Sequence, residues 1–104
     1  MSNEEINRKI AVIFATDLVG YSKHMEKDEN ATLLGLRECN KIIEPLIKKQ
    51  KGRIFNTGGD SVFAEFPSAV AAVDTAVEFQ KQIKARNDKE TTDVKLEYRI
   101  GVNM

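Results

Sequence analysis

The sequence predicts an α+β fold: a ferredoxin-like β-α-β-β-α-β palm whose four-stranded antiparallel sheet carries its helices on one face. Three observations point to it. Residues 10–19 (IAVIFATDLV) form a continuous β-prone run, two long stretches have helical spacing, and a Gly-Gly-Asp turn joins two short strand-like runs between them. Right-handed crossovers turn that order into a sheet with strand three between strands one and two, and with the overall order four-one-three-two.

Each element has its own warrant. The run at 10–19 reads as a buried central strand. Gly20 to Asp28 is a short helical or irregular passage, and Asn30 is placed to cap the helix that follows. From Thr32 to Gln50, apolar residues recur at Leu33, Leu36, Ile43 and Ile47, with Leu34, Ile42 and Leu46 widening the stripe. Pro45 kinks this helix or removes one hydrogen bond, and Gly52 is expected to end it. Arg53 to Thr57 is a strand, Gly58-Gly59 the turn, and Asp60 to Phe66 the hairpin partner. Pro67-Ser68 breaks that strand and caps a second helix, Ala69 to about Asn87. One face carries Val70, Val73 and Val77; the other carries Ala69, Ala72, Ala76, Phe79 and Ile83, whose alanines imply close packing on a sheet. After a polar loop at 88–93, Val94 to Val102 is the last strand.

Composition narrows the function classes. The chain has 104 residues, enough for one domain with a single core. Sixteen basic residues balance sixteen acidic ones, so no global field recruits nucleic acid or an anionic membrane. Lys48, Lys49, Lys51 and Arg53 cluster as a solvated helix end does. The single cysteine, Cys39, excludes an internal disulfide and fits a reducing, cytoplasmic setting; it reads as a small helix residue. The single histidine, His24, sits among charged residues and reads as exposed, and no His/Cys cluster supports zinc. Residues 1–9 are polar, unlike a signal peptide or anchor, and no apolar run approaches the ~20 residues that span a bilayer.

Two aspartates carry the chemical signal. Asp17 ends strand one just before the small-residue turn Val19-Gly20-Tyr21-Ser22, and Asp60 follows Gly58-Gly59. The predicted topology brings both to the same end of neighbouring central strands. Magnesium takes oxygen ligands and is commonly held by one or two carboxylates plus substrate phosphates, while turn and helix-start amides attract those phosphates. The pair is thus a candidate metal–polyphosphate site. Asp17 as a turn cap, Gly-Gly-Asp as an ordinary hairpin, Arg99 as a surface residue and Asn56 as a turn former are the structural alternatives.

At these residues the chain resembles the catalytic domain of the class III adenylate and guanylate cyclases, from about Arg8 to Met104. FATDLVGYS at 14–22 is similar to the family's strand-one signature, and GRIFNTGGDSVFAEF at 52–66 to its metal-binding hairpin. PSAVAAV at 67–73 and YRIGVN at 98–103 fall where the family has similar residues. The resemblance implies that Asp17 and Asp60 ligate two Mg²⁺ or Mn²⁺ ions, with the Leu18 carbonyl as a further ligand. It implies that Val19, Gly20, Tyr21 and Ser22 cradle the terminal phosphates and that Arg99 reaches a phosphate. The implied reaction joins the ribose 3′-oxygen of a nucleoside triphosphate to its α-phosphorus and releases pyrophosphate. Asn56 stands where the family has a base-contacting lysine, leaving ATP favoured over GTP by a lean.

The family's transition-state residues lie beyond the last strand. The expectation is therefore a single truncated cyclase domain over 1–104, holding the metal half of a composite site and pairing as a homodimer or with a second cyclase-domain chain. The alternatives are an inactive cyclase-like nucleotide- or metal-binding module, and a diguanylate cyclase palm. In the latter, Glu-Phe follows the turn, whereas Ser61-Val62 follows it here.

Overall fold

The computed structural model describes residues 11–89 and 94–104; the polar N-terminus, Ile10 and residues 90–93 lie outside the described residues. In chain order the elements are β1 (Val12–Leu18), α1 (Tyr21–Lys27), α2 (Glu29–Lys49), β2 (Arg53–Gly58), β3 (Ser61–Phe66), α3 (Ala69–Asn87) and β4 (Tyr98–Asn103). The four strands form one antiparallel sheet in the order β2-β3-β1-β4, as the sequence predicts.

The pleat of β1 decides which side is core. Val12, Phe14, Thr16 and Leu18 are buried, and Ile13, Ala15 and Asp17 between them are half-buried. Successive side chains of a strand point to opposite faces, so the second set lies on the sheet side away from the core. Against the buried face pack Leu36, Cys39, Ile43 and Ile47 of α2 and Ala71, Ala72, Phe79 and Ile83 of α3. Phe14 meets Phe66 at a centroid distance of 5.3 Å, and Phe79 meets Tyr98 edge-on at 5.2 Å. Such aromatic pairs add to the burial energy of the rings.

Several boundaries depart from the sequence reading, each for a local reason. Asp28, not Asn30, caps α2: its Oδ1 accepts from the Ala31 amide at 3.0 Å. Pro45 sits within α2, which continues as one helix to Lys49. The helix then closes with two bonds, Gly52 N–H to Ile47 O at 2.8 Å and Lys51 N–H to Lys48 O at 2.9 Å. That is a Schellman ending, and its left-handed residue is Lys51 (φ 64°) rather than the expected glycine. Gly52 is needed for space instead. A Cβ there would lie 2.6 Å from Phe66 Cε2 and 2.9 Å from Ile47 Cγ2.

The hydrophobic stripe of α2 is also narrower than expected, because Leu33 and Leu34 are exposed while Thr32 and Gly35 are buried. Arg86 and Leu96 come close over Gly35, where a larger residue would collide. On α3, Ser68 caps as predicted, but Val70, Val73 and Val77 face outward and only the alanine–phenylalanine face is buried. β4 starts at Tyr98, not Val94. The Asn87 side chain takes both the Leu96 N–H and the Leu96 carbonyl, and Arg86 takes the Val94 carbonyl. The end of α3 therefore satisfies this backbone before the ladder begins.

Candidate active site at the end of β1

β1 and β3 run antiparallel as neighbours, so the end of β1 meets the start of β3. The hairpin turn is Gly59–Asp60, with Gly58 paired to Ser61; Asp60 lies in the turn rather than opening the strand. Gly59 has φ 54°, a conformation that tight hairpins assign to glycine. From this turn Asp60 Oδ2 accepts the Leu18 amide of β1 at 3.1 Å. The carboxylate of the hairpin is thus fastened to the residue next to Asp17.

Asp17 is on the side away from the core and directly opposite Arg99 of β4. Arg99 Nε donates to Oδ1 at 3.2 Å and Nη2 to Oδ2 at 2.6 Å, a two-bond fork. Hydrogen bonding to Asp17 raises the basicity of the guanidinium, and the Asp60 charge adds to this. The family resemblance gives Asp17 to metal and Arg99 to a phosphate, as separate contacts. Their cross-strand pairing follows from the β1–β4 register, which the sequence does not print.

The chain leaves β1 through Val19 and Gly20. The Val19 amide donates to the Glu97 carbonyl at 2.8 Å, an anchor absent from the sequence reading. Gly20 turns the chain with φ 71°, and no side chain caps α1. The first-turn amides of Tyr21 and Ser22 are therefore uncapped, while that of Val19 is already engaged. Tyr21 also reaches the hairpin: its hydroxyl would lie 3.8 Å from a Cβ placed on Gly59.

Asn56 reaches the same face by an irregularity that no sequence signal announced. Between Ile54 and Asn56 the β2–β3 register shifts, so that Asn56 rather than Phe55 is opposite Phe63. The extra residue is a bulge, and bulges re-aim side chains in this way. Phe55 stacks loosely on Phe63 at 6.3 Å and stays exposed. His24 is half-buried rather than exposed, and its carbonyl accepts the Thr32 hydroxyl.

Among the described residues, no group of three or more His, Cys, Asp or Glu side chains gathers as a metal site. A divalent ion here would rely on two carboxylates and a backbone carbonyl, with the remainder supplied by phosphate and water. That donor set is all hard oxygen and fits magnesium or manganese. Asp60 Oδ1 has no hydrogen bond among the described residues, whereas both oxygens of Asp17 are on Arg99. A groove of about 810 Å³ lies elsewhere, between α2 and α3 beside Gly35, Ile42 and Arg86. No described helix is long and apolar enough to cross a membrane.

A putative adenylate cyclase 3 of Rhizobium meliloti (strain 1021) is 41% identical over 105 residues, spanning all of this chain and 18% of the relative. Among solved structures, an adenylate/guanylate cyclase/hydrolase from Silicibacter pomeroyi aligns at TM-score 0.79 and 33% identity, over 91% of this chain and 56% of that one. The chain is similar to part of these nucleotide cyclases. A bacterial light-regulated adenylyl cyclase gives TM-score 0.81 at 26% identity, over 88% of this chain and 51% of that one. The adenylyl cyclase CyaB of P. aeruginosa gives 0.77 at 26% identity, over 88% and 54%. The chain thus spans under a fifth of the curated relative and about half of each structural one. No family model matches the chain.

Proposed function

We propose that this chain carries the metal- and triphosphate-binding half of a nucleotide cyclase site acting on a nucleoside triphosphate, with ATP favoured over GTP. The observation that supports it most is the Leu18–Asp60 hydrogen bond, which fixes the two aspartates at one end of adjacent central strands. In this reading Asp17, Asp60 and the Leu18 carbonyl hold two divalent ions. When bound, those ions would favour loss of the ribose 3′-proton and offset the charge of the triphosphate.

The chain's own residues bind and orient. The amides of Gly20, Tyr21 and Ser22 take terminal phosphate oxygens. The Leu18–Asp60 bond keeps that turn in register with the hairpin, so cation and phosphate sites stay at a fixed spacing. Arg99 supplies a planar donor pair for a phosphate. Asn56 can donate to or accept from a purine edge, which leaves the base preference a lean toward ATP. The chain spans about half of the solved cyclase chains it matches, and in this reading the complementary half of the site and the residues that stabilise the transition state come from further chain or from a partner. The chain alone is then expected to turn over no faster than metal in solution, since losing a transition-state arginine can cost ~10³ or more in rate.

Calorimetric titration of ATP into the chain, in Mg²⁺ and again in EDTA, tests this reading. Binding that requires Mg²⁺ and is lost in Asp60→Ala supports it. Metal-independent binding unaffected by that substitution contradicts it. Pairing with a second chain is part of the proposal, because Phe55 and Val102 leave apolar surface on the strands. Light scattering over a dilution series should give a mass above the monomer at tens of micromolar.

A further inference from the structure

A cation already occupies Asp17. The Arg99 fork covers both oxygens through which a metal would bind, and it does so from the directly opposed position of the neighbouring strand. The geometry is specific to a guanidinium, because an ammonium is a point donor and cannot bridge both oxygens in this way. The pair is also openable. The Arg99 side chain is 68% exposed and that of Asp17 40%, so water competes for both partners and the bond is weak.

We propose that Arg99 is a place-holder for the metal: it occupies Asp17 in the metal-free chain, is displaced when a divalent cation takes the carboxylate, and is thereby released toward a phosphate of the nucleotide. This rests on the reading of Asp17 as a metal ligand. The same Nε and Nη2 edge that grips Asp17 is the edge suited to a two-oxygen anion, so the residue serves one partner at a time. Metal and nucleotide are consequently coupled through one side chain. A phosphate that captures Arg99 removes the metal's competitor, and by reciprocity the metal raises affinity for the phosphate. Before nucleotide arrives, Arg99 also neutralises Asp17 and limits repulsion between the two aspartates.

The test is Mn²⁺ binding to the whole chain without nucleotide, read by water-proton relaxation, for the wild type, Arg99→Gln, Arg99→Lys and Asp17→Asn. Loss of an exposed competitor of this kind should tighten Mn²⁺ about two- to fivefold in Arg99→Gln. Arg99→Lys keeps the charge but not the fork, and should fall between the wild type and Arg99→Gln. In the wild type, the side-chain Nε resonance of Arg99 should shift on Mg²⁺ addition with the midpoint of metal binding. If Arg99→Lys binds as the wild type does, charge at a distance explains the effect and the place-holder role is overturned. If Arg99→Gln fails to tighten binding while Asp17→Asn abolishes it, the metal site stands and the displacement is refuted. If Asp17→Asn binds as tightly as the wild type, the metal reading of Asp17 and the place-holder fall together.

Discussion

Replacing Gly52 by alanine isolates a packing demand at the point where α2 hands over to the hairpin. The backbone there is not left-handed, so the substitution carries no conformational penalty of that kind. The obstacle is steric. The new Cβ would sit 2.6 Å and 2.9 Å from two ring carbons of Phe66 and 2.9 Å from Ile47 Cγ2. Phe66 is 2% exposed and Ile47 1%, and the Phe66 ring is held against Phe14, so neither neighbour has room to retreat. Overpacking of this sort costs roughly 1–3 kcal/mol. The stiffer unfolded chain offsets roughly 0.4–1 kcal/mol. With neither neighbour able to retreat the cost lies in the upper half of that range, so a net loss of about 1–2.6 kcal/mol follows, which lowers the melting temperature by about 4–8 °C per kcal/mol in a domain of this size. Thermal unfolding by circular dichroism reads it directly. Adding Phe66→Leu to the alanine variant should cost less than Phe66→Leu in the wild type, since the smaller side chain relieves the clash. A Gly52→Ala variant as stable as the wild type would refute the argument that this contact is tight.

Three further outcomes follow from buried or strained groups. Thr16 is 2% exposed and its hydroxyl has no partner among the described residues, so Thr16→Val should stabilise by about 1 kcal/mol in urea unfolding. Lys51 holds φ 64° at the Schellman position, so Lys51→Gly should be neutral to stabilising by about 1 kcal/mol in the same assay, where an ordinary surface lysine to glycine would destabilise. Burial raises the pKa of both Cys39 and Tyr98; the Tyr98 hydroxyl is near the Cys39 thiol but makes no well-aligned bond to it. Both groups therefore stay protonated in the fold after they ionise in the unfolded chain. Stability should fall as pH rises from about 8.5 through 10, measured by urea midpoints across that range.

The fold was legible because its signals were local and mutually consistent. The apolar run of β1, Ser68 ahead of an alanine-rich helix and the glycines before Asp60 each name an element, and the order of elements leaves few topologies. What escaped the sequence depended on partners far along the chain. Val94 to Glu97 look like a strand by composition, but Asn87 takes the Leu96 backbone, Arg86 the Val94 carbonyl and the Val19 amide the Glu97 carbonyl. Gly52 looks like a helix stop, yet Lys51 turns the chain and Gly52 yields space to Phe66. The candidate site divides in the same way. Asp17 and Asp60 stand out by their place beside small-residue turns. The Asp17–Arg99 fork, the Val19 amide on Glu97 and the bulge at Phe55 depend on register, which residue types alone do not set.

The central claim is that Asp17 and Asp60 together hold divalent metal for a nucleoside triphosphate. Its most direct test is the affinity for Mn²⁺ with and without saturating ATP, measured in the wild type, Asp17→Asn and Asp60→Ala. Two carboxylates complete too little of a metal shell alone, so binding should be weak without ATP, tighten strongly with it, and fall in each variant. An affinity that ATP does not change, or that both variants retain, would contradict the account and leave the two aspartates as turn residues of a cyclase-like fold.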